Sequence, residues 1–109
     1  MTDHLKQYVY FGVCGEEVKI GTSNNPRKRI RGLQIARPDI KLLAAIPGGL
    51  ETERQLHQRF QKLWITGEWF HFAPEIQEFV KEQVALNLLI RMLGQSRMRP
   101  WFVVTVTSK

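Results

Sequence analysis

Two strand-like runs near the N-terminus, joined by a short loop that contains a glycine, constrain the fold more than any other feature. Residues 7–13 are rich in Tyr, Val and Phe, and residues 18–21 follow after the connection Cys-Gly-Glu-Glu. Aromatic and β-branched residues favour strands, and two such runs across a short glycine-containing loop predict a β-hairpin. A hairpin at this position excludes an all-helical bundle.

The rest of the chain predicts helices and further strands around the hairpin. The segment Asn24-Asn25-Pro26 predicts the start of a first helix, with an asparagine capping its free amides and Pro26 in its first turn. Further elements are expected as a strand at 41–46, helices at 50–63 and 74–93, and a strand at 101–107. We therefore predict an α/β (α+β) domain with a three-stranded, mainly antiparallel sheet, flanking helices and a C-terminal helix and strand. Residues 1–109 would form this single domain, with its core at 7–72 and an extension at 73–109.

Alternation along the hairpin sorts its side chains into two faces. Placing the tip at residues 15–16 sets Val13 opposite Val18. One face is then a core face, with Val9, Phe11, Val13, Val18 and Ile20. The other face carries Tyr8, Tyr10, Gly12, Lys19 and Gly21. Tyr10 and Lys19 become diagonal neighbours on it. Taken alone, this second face is also that of an ordinary hairpin half exposed to water.

The net charge and the number of cysteines indicate which partners the protein binds and in which cellular compartment it is found. The 109 residues include 16 Lys and Arg against 10 Asp and Glu, a formal net charge of +6. This excess favours an anionic partner, with nucleic acid first and an acidic membrane surface or protein second. Cys14 is the single cysteine, which excludes an intramolecular disulfide, and the apolar run at 84–93 is too short to cross a bilayer. We expect a cytoplasmic protein without a membrane partner.

Short motifs on the hairpin and further along the chain carry a family resemblance. In order they are Tyr8-Val9-Tyr10, Lys19-Ile20-Gly21, Arg29, Leu56-His57 and Glu68-Trp69-Phe70. Over residues 8–72 they resemble the GIY-YIG nuclease superfamily, in particular the branch described as a bacteriophage-type DNA-binding domain. Tyr8 stands where the name of that superfamily has Gly, and Lys19 stands where it has Tyr.

The resemblance implies a metal-dependent endonuclease that binds nucleic acid and hydrolyses phosphodiester bonds. It gives Tyr10 the position of the general base and Glu53 that of the ligand for Mg²⁺ (or Mn²⁺). A lone tyrosine is a poor base because its ordinary pKa is about 10. An adjacent ammonium such as that of Lys19 would favour the phenolate. A tyrosine that only packs against the sheet is the alternative.

The first helix is expected to supply phosphate contacts. Arg29 should lie at the edge of its buried face, where a guanidinium can form a bidentate contact with a phosphate. Arg27, Lys28 and Arg31 would hold neighbouring phosphates without reading the base sequence, or form a solvated basic surface. Tyr8, on the hairpin face that carries the lysine, is a further predicted nucleic-acid contact. DNA is favoured over RNA as the partner.

Glu53 shares a helical stripe with Leu56 and Phe60, so we expect its side chain on the core side of the second helix. A carboxylate at such a position is costly unless it has a partner. Mg²⁺, which proteins commonly hold with one or two carboxylates, is one such partner. A salt bridge to Arg29 or Lys19 is another.

His57 lies one turn beyond Glu53 on the same helix face. It could contact the phosphate, assist the leaving oxygen or orient Glu53, and a packed structural histidine is the alternative. A zinc site of these two residues lacks support because no further His/Cys cluster accompanies them. Glu68, Trp69 and Phe70 are expected to be structural and to close the core over the hairpin, with base stacking on Trp69 as a second option.

The C-terminal third predicts a helix that is covered on two sides. One apolar stripe contains Ile76, Phe79, Val80 and Val84, and a second contains Leu86, Leu89, Ile90 and Leu93. Apolar residues on two faces indicate packing against the tail or against another chain, so a homodimer through this region is possible. Two other functions stay open: a nucleic-acid-binding module without cleavage, and a protein-interaction domain that uses the apolar C-terminus.

Overall fold

The structure, a computed structural model, describes residues 6–93, and these form five strands and three α-helices. In chain order they are β1 (Tyr8–Cys14), β2 (Glu17–Ser23), α1 (Pro26–Leu33), β3 (Lys41–Pro47), α2 (Leu50–Arg59), β4 (Trp64–Thr66), β5 (Trp69–His71) and α3 (Pro74–Met92). A 3₁₀ turn, Gln61–Leu63, follows α2. The strand predicted at 101–107 lies outside the described residues.

The β1–β2 hairpin has the predicted register. Val13 pairs with Val18 and Tyr10 pairs with Gly21, so Tyr10 and Lys19 are diagonal neighbours as expected. Gly15 at the tip has a φ of 63°, a left-handed conformation that favours glycine. A slip of one residue would exchange the two faces of both strands, so the hydrophobic alternation fixes this register.

Within residues 6–93 the sheet is antiparallel and has five strands in the order β3-β1-β2-β5-β4, so the predicted number of three is wrong. The class, a small α+β domain with an antiparallel sheet, is confirmed. The two additional strands, β4 and β5, have three residues each and flank a turn at Gly67. Strands this short show no clear alternation in the sequence. They form because β5 can pair with β2.

Helices cover both faces of the sheet. α2 and α3 pack on the face that carries Phe11 and Ile20, through a core that includes Leu56 and Ile76. α1 packs on the opposite face, where Ile30 joins the two tyrosines of β1. The interpretation of this second face as half exposed to water is therefore wrong, because helix α1 shields it.

The helix boundaries follow local capping and core packing. α1 begins as predicted, since the side-chain oxygen of Asn25 accepts a hydrogen bond from the amide of Lys28 at 3.2 Å. α2 ends at Arg59 rather than at Leu63, because Phe60 leaves the helical conformation and buries its ring in the core. Leu50, the first residue of α2, is 70% exposed.

The two apolar stripes of α3 differ in burial. Ile76, Phe79 and Val80 are buried, as the first stripe predicts. Leu86 and Leu89 of the second stripe are about half exposed. The structure therefore buries one side of α3, and homodimerisation through the other remains a prediction. None of the helices among residues 6–93 has the length and hydropathy of a membrane-spanning segment.

Candidate functional site

Polar side chains from both faces of the sheet meet around Gly21 of β2. Within the described part of the chain, β5 pairs with β2 only as far as Lys19, which lies opposite Trp69. Beyond that pair, side chains of α2 and of β1 can approach the same stretch of β2. We call the resulting cluster the Gly21 site; it consists of Tyr10, Lys19, Gly21, Arg29, Glu53, His57 and Glu68.

Tyr10 is the buried phenol of the Gly21 site. It is 1% exposed, and its hydroxyl oxygen lies 2.8 Å from where a Cβ on Gly21 would stand. Burial raises the pKa of Tyr10 above its ordinary value, a hydrogen bond with Arg29 acts in the opposite direction, and the charge of Glu68 adds to the rise. The net direction is opposite to the one we expected from Lys19.

Lys19 is paired with Glu68 rather than with the phenol. Its Nζ atom lies 3.0 Å from Oε1 of Glu68 and 5.6 Å from the centre of the Trp69 ring. The Lys19 side chain is only 13% exposed. The charge of the ammonium is balanced by the Glu68 carboxylate, and Lys19 is not among the groups that shift the pKa of Tyr10.

Glu53 lies on the core side of α2, as the sequence predicts, and is 8% exposed. Its carboxylate hydrogen-bonds Thr22, lies 3.5 Å from Nε2 of His57 and is within hydrogen-bonding reach of Glu68. The partner of Glu53 is thus His57 rather than a lysine or arginine. Burial raises the pKa of the Glu53 carboxyl above its ordinary value, and the neighbouring charge of Glu68 adds to the rise.

His57 joins α2 to the main chain of β2. Its Nε2 atom lies 2.8 Å from the carbonyl oxygen of Ile20, a distance at which an Nε2–H group donates to that oxygen. Its ring packs at 4.9 Å from the ring of Phe70. The imidazole therefore has a structural role that holds it beside Glu53, and a contact with substrate remains a prediction.

Helix α1 presents basic side chains next to the site. Arg29 is an exposed residue whose guanidinium reaches the hydroxyl of Tyr10. Arg27, Lys28 and Arg31 are exposed as well, which leaves them open to an anionic partner. Arg29 lies at the edge of the buried face of α1, as predicted, because the residue is exposed while its guanidinium contacts the buried Tyr10.

The position of Tyr8 in the structure does not suit the nucleic-acid contact that we predicted for it. It is 6% exposed and belongs to the core between α1 and the sheet, together with Ile30 and Ala45. The prediction of a nucleic-acid contact at Tyr8 assumed a hairpin face open to water. Because α1 covers that face, a stacking contact of the Tyr8 ring with a base does not fit the structure.

Glu68 is the site residue that the sequence interpretation missed, since we expected it to be structural. It follows Gly67, whose φ of 55° turns the chain between β4 and β5. Its main-chain oxygen accepts a hydrogen bond from the amide of Ile20 at 2.9 Å, which brings its side chain to Gly21. A charged residue directly after a turn glycine was the available signal. The neighbouring Phe70 is buried, as predicted.

Trp69 closes the hairpin on the side of α1. It is partly buried against the core that contains Tyr10. The guanidinium of Arg37 lies 3.9 Å from the ring centre and 3.2 Å from Glu17. The prediction that Trp69 packs over the hairpin is confirmed, and a cation already covers part of its ring.

The carboxylate oxygens of the Gly21 site are of the ligand type that hard divalent cations prefer. Among residues 6–93, no group of three or more His, Cys, Asp and Glu is arranged to hold a metal ion. Proteins commonly hold Mg²⁺ with one or two carboxylates and complete its ligands with water and phosphate, and the buried carboxylate of Glu53 could supply such a ligand. The zinc pair of Glu53 and His57 stays without support, because no third ligand of the kind zinc requires joins them among the described residues.

Fold and site together define a small basic α+β domain with a polar cluster at the edge of an antiparallel hairpin, beside a basic helix. The chain belongs to the T5orf172 domain family, whose model matches residues 5–89. This phage-type family is associated with nucleic-acid-related function. No curated protein and no solved structure shows significant similarity to the chain.

The family match corrects the resemblance drawn from the short motifs. Membership of the GIY-YIG superfamily is wrong, because the matching model is that of a distinct family, although one related in fold. The motifs misled because related folds share the same hairpin and helix positions. Short spacings along a shared fold do not separate one family from the next.

Proposed function

We propose that this domain binds nucleic acid, with DNA favoured over RNA, and hydrolyses phosphodiester bonds at the Gly21 site. One observation carries the proposal: a phenol, a guanidinium and a buried carboxylate from β1, α1 and α2 converge on one stretch of β2. The hydrogen bond of Arg29 to the Tyr10 hydroxyl and the nearby charge of Glu53, both of which act on the pKa of Tyr10, support that convergence. These are the group types that phosphodiester hydrolysis requires.

Binding would rest on the exposed basic side chains of α1. Arg27, Lys28 and Arg31 are positioned to neutralise backbone phosphates, which gives affinity that falls with salt and does not depend on base sequence. Arg29 differs from them because it also touches Tyr10. A phosphate held by Arg29 would therefore lie next to the phenol.

Hydrolysis needs a base for the attacking water and charge stabilisation at phosphorus. The oxygen of a water molecule forms the new bond to phosphorus, the bond to one ester oxygen breaks, and that oxygen takes up a proton. Tyr10, as phenolate, would accept the proton of the attacking water, and Arg29 would offset the charge that builds on the phosphate oxygens. Because burial raises the pKa of Tyr10, this role predicts a rate that still increases with pH above neutrality.

Glu53 is the residue that would hold Mg²⁺ or Mn²⁺. Such an ion, when bound, supplies a polarised water and neutralises charge on the phosphate. His57 fixes the position of the Glu53 carboxylate through its contact at 3.5 Å and its own hydrogen bond to β2. We therefore assign His57 a positioning role.

A nucleic-acid-binding module without cleavage is the second candidate function. One observation favours it: Lys19 is neutralised by Glu68, so it does not assist the ionisation of Tyr10. The basic surface of α1 would bind nucleic acid equally well in such a module.

A nicking assay separates the two candidates. Supercoiled plasmid is incubated with the parent protein and with Tyr10→Phe, Glu53→Gln and Glu51→Gln, in Mg²⁺ and in Mn²⁺. Glu51 is exposed on the same helix as Glu53, so Glu51→Gln is the matched control and should nick like the parent. Loss of nicking in Tyr10→Phe and Glu53→Gln supports hydrolysis. A parent that binds the plasmid and leaves it intact supports the binding module.

A further inference from the structure

Glu68 places a carboxylate at a point of the Gly21 site where an anion fits. Its Oε1 atom lies 3.0 Å from Nζ of Lys19 and 2.7 Å from where a Cβ on Gly21 would stand. The hydroxyl oxygen of Tyr10 lies 2.8 Å from that same position. An oxygen anion is thus already held beside an ammonium and a phenol, in space that only a glycine leaves free.

We propose that the Glu68 carboxylate occupies the place of a substrate phosphate, and that a bound nucleic acid displaces it from Lys19. The inference rests on the proposed function, because it takes the Gly21 site as the place where nucleic acid binds. Glu68 is then a positioning residue. Its carboxylate competes with anions for Lys19, which lowers the affinity of the protein for weakly bound anions, and it leaves Lys19 when a substrate phosphate reaches the site.

The local structure allows this exchange without movement of the main chain. The carbonyl of Glu68 is fixed by its hydrogen bond from Ile20, while the carboxylate is at the free end of the side chain. The Glu68 side chain is 38% exposed, so rotation about its own bonds brings the carboxylate into water. No main-chain hydrogen bond has to break.

The charges around Glu68 also favour its displacement. Its carboxylate forms an ion pair with Lys19, and the negatively charged oxygen of a phosphate can take the place of the carboxylate beside that ammonium. A second carboxyl neighbour is the buried Glu53, which in its ionised form carries a charge of the same sign. Movement of Glu68 into water removes this repulsion, whereas the ammonium of Lys19 keeps an anionic partner.

Binding to a fluorescein-labelled DNA duplex of mixed sequence, measured by fluorescence anisotropy in EDTA, tests the exchange. Glu68→Gln removes the competing charge and should bind about fivefold more tightly than the parent, the equivalent of one well-formed ion pair. Glu51→Gln is the control, because Glu51 forms an ion pair of the same 3.0 Å length with Arg54, on an exposed part of α2. It should change the affinity by less than about twofold.

A double substitution separates displacement from a general charge effect. In a Lys19→Met background no ammonium remains to be released, so Glu68→Gln should give no further gain in affinity. A gain of equal size with and without Lys19 would overturn the inference. Glu68→Asp keeps the charge but shortens the side chain by one methylene, and it should also bind more tightly than the parent. It provides the test if Glu68→Gln fails to fold.

The outcomes distinguish this inference from the proposed function. If the parent binds the duplex and a folded Glu68→Gln binds no more tightly, Glu68 does not compete with phosphate and the inference is wrong, while the proposed function stands. If neither the parent nor Glu68→Gln binds the duplex, the proposed function fails and takes the inference with it. Folding of each variant is checked by its thermal unfolding transition.

Discussion

Nε2 of His57 lies 3.5 Å from Oε2 of Glu53, one helical turn away on α2. The same nitrogen lies 2.8 Å from the carbonyl oxygen of Ile20, so the imidazole lies between the buried carboxylate and the main chain of β2. This connection fixes α2 against the hairpin at the point where the Gly21 site forms. The histidine therefore contributes to the fold and to the site through the same atom.

His57→Ala is expected to lower the free energy of unfolding by about 1–2 kcal/mol, because the Ile20 carbonyl loses its donor and the contact with Phe70 is lost. Urea unfolding followed by circular dichroism measures the change. His71→Ala is the control, since His71 is exposed on β5 and should be nearly neutral. Equal effects at the two histidines would contradict the structural role of His57.

Glu53→Gln is expected to stabilise the protein at neutral pH, at the expense of any function that needs the carboxylate. Burial raises the pKa of Glu53 in the folded state above its ordinary value of 4.5. The unfolded chain then loses its proton at lower pH than the folded chain does. The free energy of unfolding of the parent therefore decreases as pH rises from 4.5 through the folded-state pKa, and Glu53→Gln lacks this decrease.

Unfolding by urea at a series of pH values between acid and neutral measures this difference. Glu51→Gln, which changes an exposed carboxylate on the same helix, should parallel the parent. If the difference in free energy of unfolding between Glu53→Gln and the parent does not grow with pH, the ionised carboxylate is well solvated or well paired in the folded protein.

The hairpin and its register could be predicted from sequence because strand side chains alternate between the two faces of the sheet. Only two assignments of the faces exist, and one of them would place Val9, Phe11 and Ile20 in water. The same logic placed Tyr10 diagonal to Lys19 and Glu53 on the core side of α2, and the structure confirms all of these positions. Local periodicity thus carries most of the fold.

The charge partners within the site could not be predicted in this way. Lys19 pairs with Glu68 only because β5 joins β2, and three-residue strands have too few residues to show a pattern. The burial of Tyr8 depends on α1 crossing the second face of the sheet, which is a tertiary contact. The sequence lists the charged groups, but their pairing is decided by packing between segments far apart in the chain.

Tyr10 should make the protein sensitive to alkali. Burial raises its pKa above the ordinary value of 10.0, so the folded protein holds the phenolic proton after the unfolded chain has lost it. The free energy of unfolding should therefore fall as pH rises past 10.0, and Tyr10→Phe should reduce that fall. Part of the fall should remain, because burial raises the pKa of Tyr8 in the same direction. An unchanged pH dependence in Tyr10→Phe would contradict the burial of the phenol.

Gly21→Ala should disrupt the site because no Cβ fits at this position. The Cβ would lie 2.7 Å from Oε1 of Glu68 and 2.8 Å from the hydroxyl of Tyr10. Glu68 can rotate away, but the Tyr10 ring is held in the core, so we expect a loss of about 1–3 kcal/mol in the free energy of unfolding. Gly32→Ala on α1 is the control, since nothing lies within 4 Å of its Cβ. It should stabilise the helix by about 0.5–1 kcal/mol.

Removal of the basic side chains of α1 should change how DNA binding depends on salt. The logarithm of the affinity falls linearly with the logarithm of the salt concentration, and each phosphate contact makes this fall steeper by about 0.9. Loss of three contacts should therefore make the slope shallower by about three. The variant combines Arg27→Gln, Lys28→Gln and Arg31→Gln, and the slope is measured by fluorescence anisotropy with a labelled DNA duplex. Arg29 is left in place, so that the Tyr10 contact is kept.

The control for this variant removes the same net charge from other exposed elements. It combines Arg54→Gln, Lys62→Gln and Lys81→Gln. If α1 is the binding surface, the control should keep a slope close to that of the parent, because charges that do not touch phosphate release no counterions on binding. Equal losses of slope in the two variants would mean that binding follows net charge alone. The position of α1 beside the Gly21 site would then have no part in holding the nucleic acid.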